Sequence, residues 1–201
     1  MDGAETSYGA VWGNLSLRHR PADGDVEIIA RVAVGDEDAL EKVYARFGNS
    51  LFRYLLTLTS DRRLAEEILQ DTLVAVWRGA NTYRGRSSVK TWIFGIARRQ
   101  AHNALRRNRL PLAAEEKLAA LPAAEPGPEE SLLVGADRGE LAKNVGHLSP
   151  VHREVLALIF FHGLSYGETA EVLGVKIGTV KSRLSNAKKA LRKTLQDPKE
   201  K

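Results

Sequence analysis

The most restrictive pattern in the sequence is a pair of short helices joined by a tight turn near its carboxyl end. Ser165 and Glu168 have the spacing of a capping box, in which each side chain bonds a backbone amide at the helix start. Gly174 is placed to end that helix, because glycine adopts the left-handed conformation at a helix terminus without strain. A second helix follows from about residue 177. Two helices joined this closely predict a helix-turn-helix.

The second of these helices combines an apolar stripe with a basic face. Its apolar side chains recur at i, i+4, i+7 and i+11, which predicts the buried side. They are Val180, Leu184, Ala187 and Leu191. The stretch from 174 to 193 carries seven lysines and arginines and no acid. Such charge is typical of either a solvated face or a polyanion-binding surface. The helix-turn-helix favours DNA, because its second helix enters the major groove.

Helical periodicity runs through most of the remaining chain, and no useful stretch alternates with the period of a β-strand. Residues 1–24 are rich in glycine without a clear period, so we expect a disordered extension there. A helical bundle is predicted for 25–109. Within it, Asp36, then Ser60 or Asp61, then Ser87 or Ser88 are the candidate helix caps.

A change of composition separates this bundle from the helix-turn-helix. Residues 110–130 contain four prolines, many alanines and five acids against one base, which is typical of a linker. A second helical unit is predicted for 131–196, with helices at about 131–146, 150–162, 166–173 and 177–195. We therefore expect an all-α chain of two small helical domains, joined flexibly by an acidic linker rich in proline and alanine.

Composition excludes several classes of protein. The 201 residues include no cysteine, which rules out disulfides, thiolate chemistry and cysteine-bound zinc. The five histidines lack metal-ligand spacing, so we expect neither a metal nor a cofactor. The amino-terminal residues have no apolar signal-peptide core, and no run of apolar residues is long enough to span a membrane. These features predict a cytoplasmic protein without membrane contact.

A second basic segment lies in the first helical unit. From 84 to 109 the chain carries eight basic residues and no acid, with aromatic residues interleaved. Basic side chains that alternate with rings suit single-stranded or melted DNA, because the rings stack on unpaired bases. In the alternative interpretation the rings belong to the core and the arginines are solvated. We favour the core for Trp92 and Phe94, and exposure for Tyr83. The lack of acids argues against a nucleic-acid enzyme.

The helix before this segment has an acidic polar side, formed by Glu66, Glu67, Gln70 and Asp71. Such a side is either an ordinary solvated face or a docking site for a basic partner protein.

Taken together, these segments resemble bacterial RNA polymerase sigma factors of the extracytoplasmic-function (ECF) type, a group of the sigma-70 family. "AEEILQDTLVAVWRGANTYRGRSSVKTWIFGIARRQAHNALRR" is similar to the promoter-melting region, called sigma region 2. "LSPVHREVLALIFFHGLSYGETAEVLGVKIGTVKSRLSNAKKALRK" is similar to the region that recognises the −35 element, called sigma region 4. The resemblance covers about 25–109 and 131–195.

The resemblance implies a transcription initiation factor without catalysis of its own, which binds core RNA polymerase and directs it to promoters. Core polymerase would contact Glu67, Gln70, Asp71 and Val74. The −10 element would contact Tyr83, Arg84, Ser87, Trp92, Phe94, Arg98, Arg99 and Asn103. The −35 element would contact Thr179, Lys181, Ser182, Ser185, Asn186 and Lys189. The resemblance also implies a chain that is monomeric when free and is held inactive by an anti-sigma factor.

A different class of function is compatible with the same helix-turn-helix. The chain could be a stand-alone DNA-binding regulator, in which the first helical unit is a sensor or a dimerisation bundle. Binding to core polymerase separates the two hypotheses, because only the initiation factor requires it.

Overall fold

The structure is a computed structural model that describes residues 24–115 and 148–196, with side chains described for 24–107 and 148–193. The predicted amino-terminal extension, most of the predicted linker and the predicted helix at 131–146 lie outside the described residues. Within the described ranges every regular element is helical, which confirms the all-α prediction.

Four helices form the first unit. They are α1 (Asp25–Ala33), α2 (Glu37–Thr59), α3 (Arg62–Gly79) and α4 (Val89–Glu115), with a 3₁₀ turn at Ala80–Thr82 after α3. The predicted cap Asp36 accepts a hydrogen bond from the amide of Ala39 at 3.0 Å. Asp61 caps α3, whereas Ser60 ends α2 in the left-handed conformation. At the start of α4, the Ser88 hydroxyl accepts from the amide of Thr91 at 3.2 Å.

Helix α4 is longer than the sequence pattern indicates. The bundle was predicted to end at residue 109, but α4 runs on to Glu115 and therefore enters the predicted linker. Pro111 lies in this extension, and its ring normally disrupts a helix by removing one backbone donor.

The second unit contains α5 (Pro150–Leu156), which continues as a π-helical segment (Ala157–Phe161), then α6 (Tyr166–Leu173) and α7 (Ile177–Gln196). Its predicted caps are confirmed. The Ser149 side chain accepts from the amide of His152, and both hydrogen bonds of the Ser165–Glu168 capping box are present. Gly174 ends α6 with φ +63°, a value that favours glycine. Helices α6 and α7 therefore form the predicted helix-turn-helix.

The apolar stripes pack as the periodicity predicts. In α7 all four stripe residues are buried against α5 and α6. In the first unit, α2, α3 and α4 pack on one another around large buried side chains. These include Tyr54, Leu51, Leu55, Ile68, Ile93 and Phe94.

The two units also pack against each other. Helix α4 lies along α6, and α2 contacts α5. Several hydrogen bonds join the units, and one of them is formed by Glu154, whose residue surface is only 6% exposed. The two units therefore form a shared interface in this conformation, and their flexible linkage in the free chain stays a prediction. Composition indicated a linker, but complementarity between the two folded surfaces is not visible in composition.

Across the described helices, none has the length and apolar character needed to cross a membrane.

Candidate nucleic-acid interface

Helix α7 presents a continuous polar face to solvent. Its buried stripe turns the opposite side outward, because residues three or four apart share a helix face. Five of the six side chains predicted to contact the −35 element are exposed, namely Lys181, Ser182, Ser185, Asn186 and Lys189. Thr179 is half-buried, and its carbonyl accepts a hydrogen bond from the Ser182 hydroxyl at 3.0 Å. The structure thus brings the predicted set together on one face of a rigid helix.

The predicted −10 contacts that lie on α4 fall into two rows, and the basic residue Lys90, which was not predicted to contact the −10 element, extends one of them. Lys90, Phe94 and Arg98, at i, i+4 and i+8, form a row that faces the second unit and is called the inner row here. The other row is called the outer row, and it consists of Trp92, Arg99 and Asn103. Sequence reasoning treated the members of both rows as one surface, since it could not know where the second unit lies.

The outer row and the loop before α4 are accessible. Arg99 and Asn103 are exposed, as is Arg84 in the loop, whereas Trp92 is half-buried. The Tyr83 ring lies 5.2 Å from the Trp92 ring, measured between centroids. These residues leave a basic surface with aromatic edges, which suits an unpaired strand.

The predicted exposure of Tyr83 is wrong. Its ring is half-buried beside Trp92, and its hydroxyl donates a hydrogen bond to the carbonyl of Ser87 at 2.6 Å. Burial is the main cause that raises the pKa of Tyr83. The loop residue Ser87 therefore contributes its backbone to the position of the tyrosine, a contact that spans the loop and fixes its shape.

The inner row is covered by the second unit. Phe94 is fully buried, with its ring 5.2 Å from Tyr54 and 5.0 Å from His162 between centroids. The core interpretation of Phe94 is therefore confirmed, and the assignment of Phe94 to the −10 contact is incompatible with this conformation. For Trp92, the core interpretation holds only in part, because the ring is half-buried.

The charged residues of the inner row are bound by the second unit. The Arg98 guanidinium donates to the Glu154 carboxylate at 2.8 Å, and the Tyr54 hydroxyl donates to the same oxygen at 2.9 Å. Burial and the Glu154 charge raise the pKa of Tyr54, so it remains a donor. The Lys90 ammonium donates to the His162 carbonyl, and desolvation is the main cause that lowers the pKa of Lys90.

A second carboxylate binds the amino-terminal end of α4. One oxygen of Glu168 accepts from the hydroxyls of Ser88 at 3.0 Å and Thr91 at 3.1 Å. Its other oxygen completes the capping box by accepting from the Ser165 amide at 2.9 Å. Burial alone would raise the pKa of Glu168, but these hydrogen bonds outweigh it and lower the pKa.

Sequence reasoning missed both roles. Glu168 was assigned only to the capping box, and Glu154 was not singled out at all. The available signal was the position of Glu154 directly before the apolar run from Val155 to Phe161, where an acid faces the core side of its helix. A buried acid requires a partner, and this one has its partners on the other unit.

The predicted polymerase-binding residues lie together on α3. Glu67, Gln70 and Val74 are exposed and Asp71 is half-exposed, and their spacing places them on one side of the helix. A shallow cleft of about 440 Å³ adjoins this face, and Asp71, Val74, Ala75, Arg78, Gly79 and Gln100 line it. Val74, with 47% of its surface accessible, is exposed on this face among polar groups.

Two family models match the chain. Residues 43–110 match the family model described as Sigma-70 region 2, and residues 138–191 match the one described as Sigma-70, region 4. The fold and these matches define a sigma-70 factor built from regions 2 and 4.

Two relatives identify the group within the sigma-70 family. BldN of Streptomyces coelicolor, an ECF RNA polymerase sigma factor, is 31% identical over 90% of this chain and 70% of its own length. The ECF sigma factor RpoE of Cereibacter sphaeroides is 32% identical over 78% of this chain and 86% of its own length. The chain belongs to the ECF RNA polymerase sigma factor family.

A solved structure is also similar. The sigma factor RpoE of Bartonella quintana, in complex with the anti-sigma factor NepR, has a TM-score of 0.66 and 27% identity, over 78% of this chain and 96% of that one.

Proposed function

We propose that this sigma factor uses three separate surfaces to start transcription at its promoters. The α3 face, with Glu67, Gln70, Asp71 and Val74, docks on core RNA polymerase. The outer row of α4 and the loop at 81–88 hold the opened −10 strand, and the polar face of α7 reads the −35 duplex. The chain supplies recognition and strand capture, and the polymerase supplies the catalysis.

The observation that carries this proposal is the separation of the basic surfaces. Helix α7 and the segment 84–109 each lack acids, and each turns basic side chains outward from a distinct helical unit. Two such surfaces on one chain suit two DNA elements of different form, because α7 has the geometry for a major groove and the loop has rings for unpaired bases.

Within α7, some side chains contact phosphates and others contact bases. Lys181 and Lys189 bind phosphates, and Ser185 and Asn186 reach base edges, because short polar side chains can hydrogen-bond in the groove. Within the first unit, Tyr83 and Trp92 provide stacking surfaces while Arg84, Arg99 and Asn103 follow the backbone of the strand. The inner row adds Arg98 and Phe94 once it is uncovered.

An anti-sigma factor is the expected regulator. The Bartonella relative was solved with such a protein. For this chain we propose a small protein inhibitor that covers the α3 face or wedges between the two units, and a cytoplasmic site of action where the polymerase is found.

Run-off transcription tests the proposal. Core polymerase is mixed with this chain and a library of host genomic fragments, and the start sites are sequenced. We expect discrete start sites preceded by a shared pair of −10 and −35 elements. Core polymerase without the chain is the control. If the chain instead binds promoter fragments alone and leaves polymerase start sites unchanged, the stand-alone regulator is the correct class.

A charge variant sharpens the test. Lys181→Ala is expected to weaken binding to all promoters equally and to lower the salt dependence of binding by about one phosphate contact. Lys42→Ala removes one exposed lysine from α2 and is the matched control. Equal effects of the two substitutions would contradict a docking role for α7.

A further inference from the structure

Carboxylates of the second unit bind α4 where the phosphates of the opened −10 strand are proposed to bind. Arg98 is bound by the carboxylate of Glu154, and the hydroxyls at the start of α4 are bound by the carboxylate of Glu168. A carboxylate and a phosphate offer a guanidinium the same planar pair of anionic acceptors, and arginine binds both in the same way. The second unit therefore places two anions where a strand along the inner row would place its phosphates.

We propose that region 4 is an intramolecular competitor of promoter DNA: in the closed chain Glu154 occupies the inner row and Glu168 occupies the amino-terminal end of α4, and the opened −10 strand must displace them. This inference rests on the proposed role of α4 in strand capture. It adds a regulatory state to that role, in which the chain covers half of its own −10 surface before any other protein binds.

The packing around the inner row supports competition over simple contact. Phe94 is buried by Tyr54 from its own unit and by His162 from the other. The Ser50 hydroxyl and the Nδ1 atom of His162 are 3.0 Å apart, and the Lys90 ammonium bonds the His162 carbonyl. A strand cannot reach Phe94 or Arg98 while these contacts exist, so binding of the second unit and of DNA to the inner row are mutually exclusive.

The nature of the contacts suits a reversible closure. Arg98 and Glu154 retain 21% and 8% of their side-chain exposure. Ion pairs at this depth regain little more than the cost of their desolvation, so they specify a geometry without making it irreversible. Opening exposes Arg98 and Lys90 to a strand that supplies new anions. The outer row stays accessible in the closed chain and can make the first contact.

The absence of cysteine from the sequence makes closure measurable. Ala45→Cys on α2 and Lys193→Cys on α7 replace two exposed residues, one in each unit, and a donor and an acceptor dye are attached to them. Energy transfer between the dyes then reports the separation of the units in the full-length chain, without polymerase.

Three substitutions that raise the net charge by one are compared in this labelled chain. Glu154→Gln removes the carboxylate from the inner row. Ser50→Lys leaves both carboxylates in place, but replaces the hydroxyl that meets Nδ1 of His162 in the other unit by a long cation, near a ring that already experiences the charges of Lys90 and Arg53. Repulsion among these cations favours separation of the units. Glu41→Gln changes an exposed acid on α2 and is the matched control. Because Ser50 lies on the helix surface between the units, this variant can fold even if the Glu154 variant does not.

The binding probe is a fluorescent single-stranded oligothymidine of about 12 nucleotides, titrated at low salt. We expect Glu154→Gln and Ser50→Lys to lower energy transfer and to bind the oligonucleotide about tenfold more tightly, as displacement of a competitor requires. Glu41→Gln should do neither. Adding Arg98→Ala to Glu154→Gln should abolish most of the gain, because the gain depends on the uncovered inner row.

Two results would overturn the competition. One is a fall in energy transfer in both opening variants without tighter binding of the oligonucleotide. The other is an equal gain for Glu41→Gln, which would assign the effect to net charge. The assay contains no polymerase, so it decides the competition independently of run-off transcription, whose failure would contradict the initiation role itself.

Discussion

Helices α4 and α7 are both strongly basic, yet their charges meet different surroundings. No acid lies between Arg84 and Arg109 or between Gly174 and Lys193. On α7 the predicted DNA-binding lysines remain exposed. On α4 the second unit binds both charged residues of the inner row, Arg98 through the Glu154 carboxylate and Lys90 through the His162 carbonyl, whereas Arg99 and Asn103 of the outer row are exposed. Local lack of compensation therefore does not mean that a charge is unpaired in the folded chain.

The comparison separates two ways in which a basic helix face is arranged in the folded chain. Helix α7 exposes its predicted DNA-binding lysines to solvent, because its stripe of four apolar residues buries the opposite side. On helix α4, Arg98 is bound by the Glu154 carboxylate and Lys90 by the His162 carbonyl. The first surface is governed by its own helix-turn-helix, whereas the second depends on the position of a distant part of the chain.

The largest expected effect concerns the buried ring of the inner row. Phe94→Ala should lower the free energy of unfolding by about 3–5 kcal/mol, because a fully buried ring leaves a cavity between the units. Urea denaturation followed by circular dichroism measures it. On α7, Ile177→Ala replaces a side chain that is 50% exposed, and should change stability by less than about 0.5 kcal/mol. Similar losses for both would contradict the difference between the helices.

The next effect is a pH dependence of the packing between the units. Burial, then Lys90 and Arg53, lower the pKa of His162 to about 3. Its unfolded pKa is near 6.5, so the unfolded chain binds the proton first as the pH falls. Stability is full above about 6.5 and decreases toward 3, with a loss of about 2 kcal/mol from pH 7.5 to 5.

Urea denaturation at the two pH values measures this loss. His162→Asn, which keeps polar groups near Ser50, should remove that share of the dependence, and His152→Asn should retain it. If His162→Asn leaves the pH dependence unchanged, the histidine is protonated or solvated and the units do not bury it.

A smaller effect is expected on the exposed face of α7. Asn186→Ala should change the preferred −35 sequence, with a loss of about 1–3 kcal/mol of discrimination at one base pair, because the amide can make a bidentate contact. Transcription from promoters with a randomised −35 element measures it, with Glu41→Gln as a control on α2. An unchanged selected sequence would assign α7 to phosphate anchoring, with recognition by neighbouring residues or DNA shape.

The smallest effect concerns the loop that leads into the outer row. Tyr83→Phe keeps the ring beside Trp92 but removes the hydrogen bond to the Ser87 carbonyl, which should cost about 0.5–1.5 kcal/mol of stability. Permanganate footprinting should show nearly normal promoter opening, whereas Tyr83→Ala, which removes the stacking surface, should impair it. Equal defects in the two variants would mean that the hydroxyl, not the ring, determines the function of the loop.

Much of this molecule can be predicted from local sequence. The capping box at Ser165, the left-handed Gly174 and the Asp36 cap follow from short-range rules, because each hydrogen bond joins residues within four positions. The buried stripe of α7 follows from helical periodicity in the same way. The family came instead from the resemblance of two segments to sigma regions 2 and 4, which the family models match.

Only the tertiary structure decided which charges of α4 are available. The partners of α4 in the second unit are distant in sequence: Arg98 and Glu154 are 56 positions apart, and Thr91 and Glu168 are 77 apart. No helical period relates residues so far apart, because their meeting depends on how two separately folded surfaces complement each other. Sequence thus determined the helices, their caps and their apolar sides, while packing between the units determined that Phe94 is buried and that Arg98 already has an anion bound.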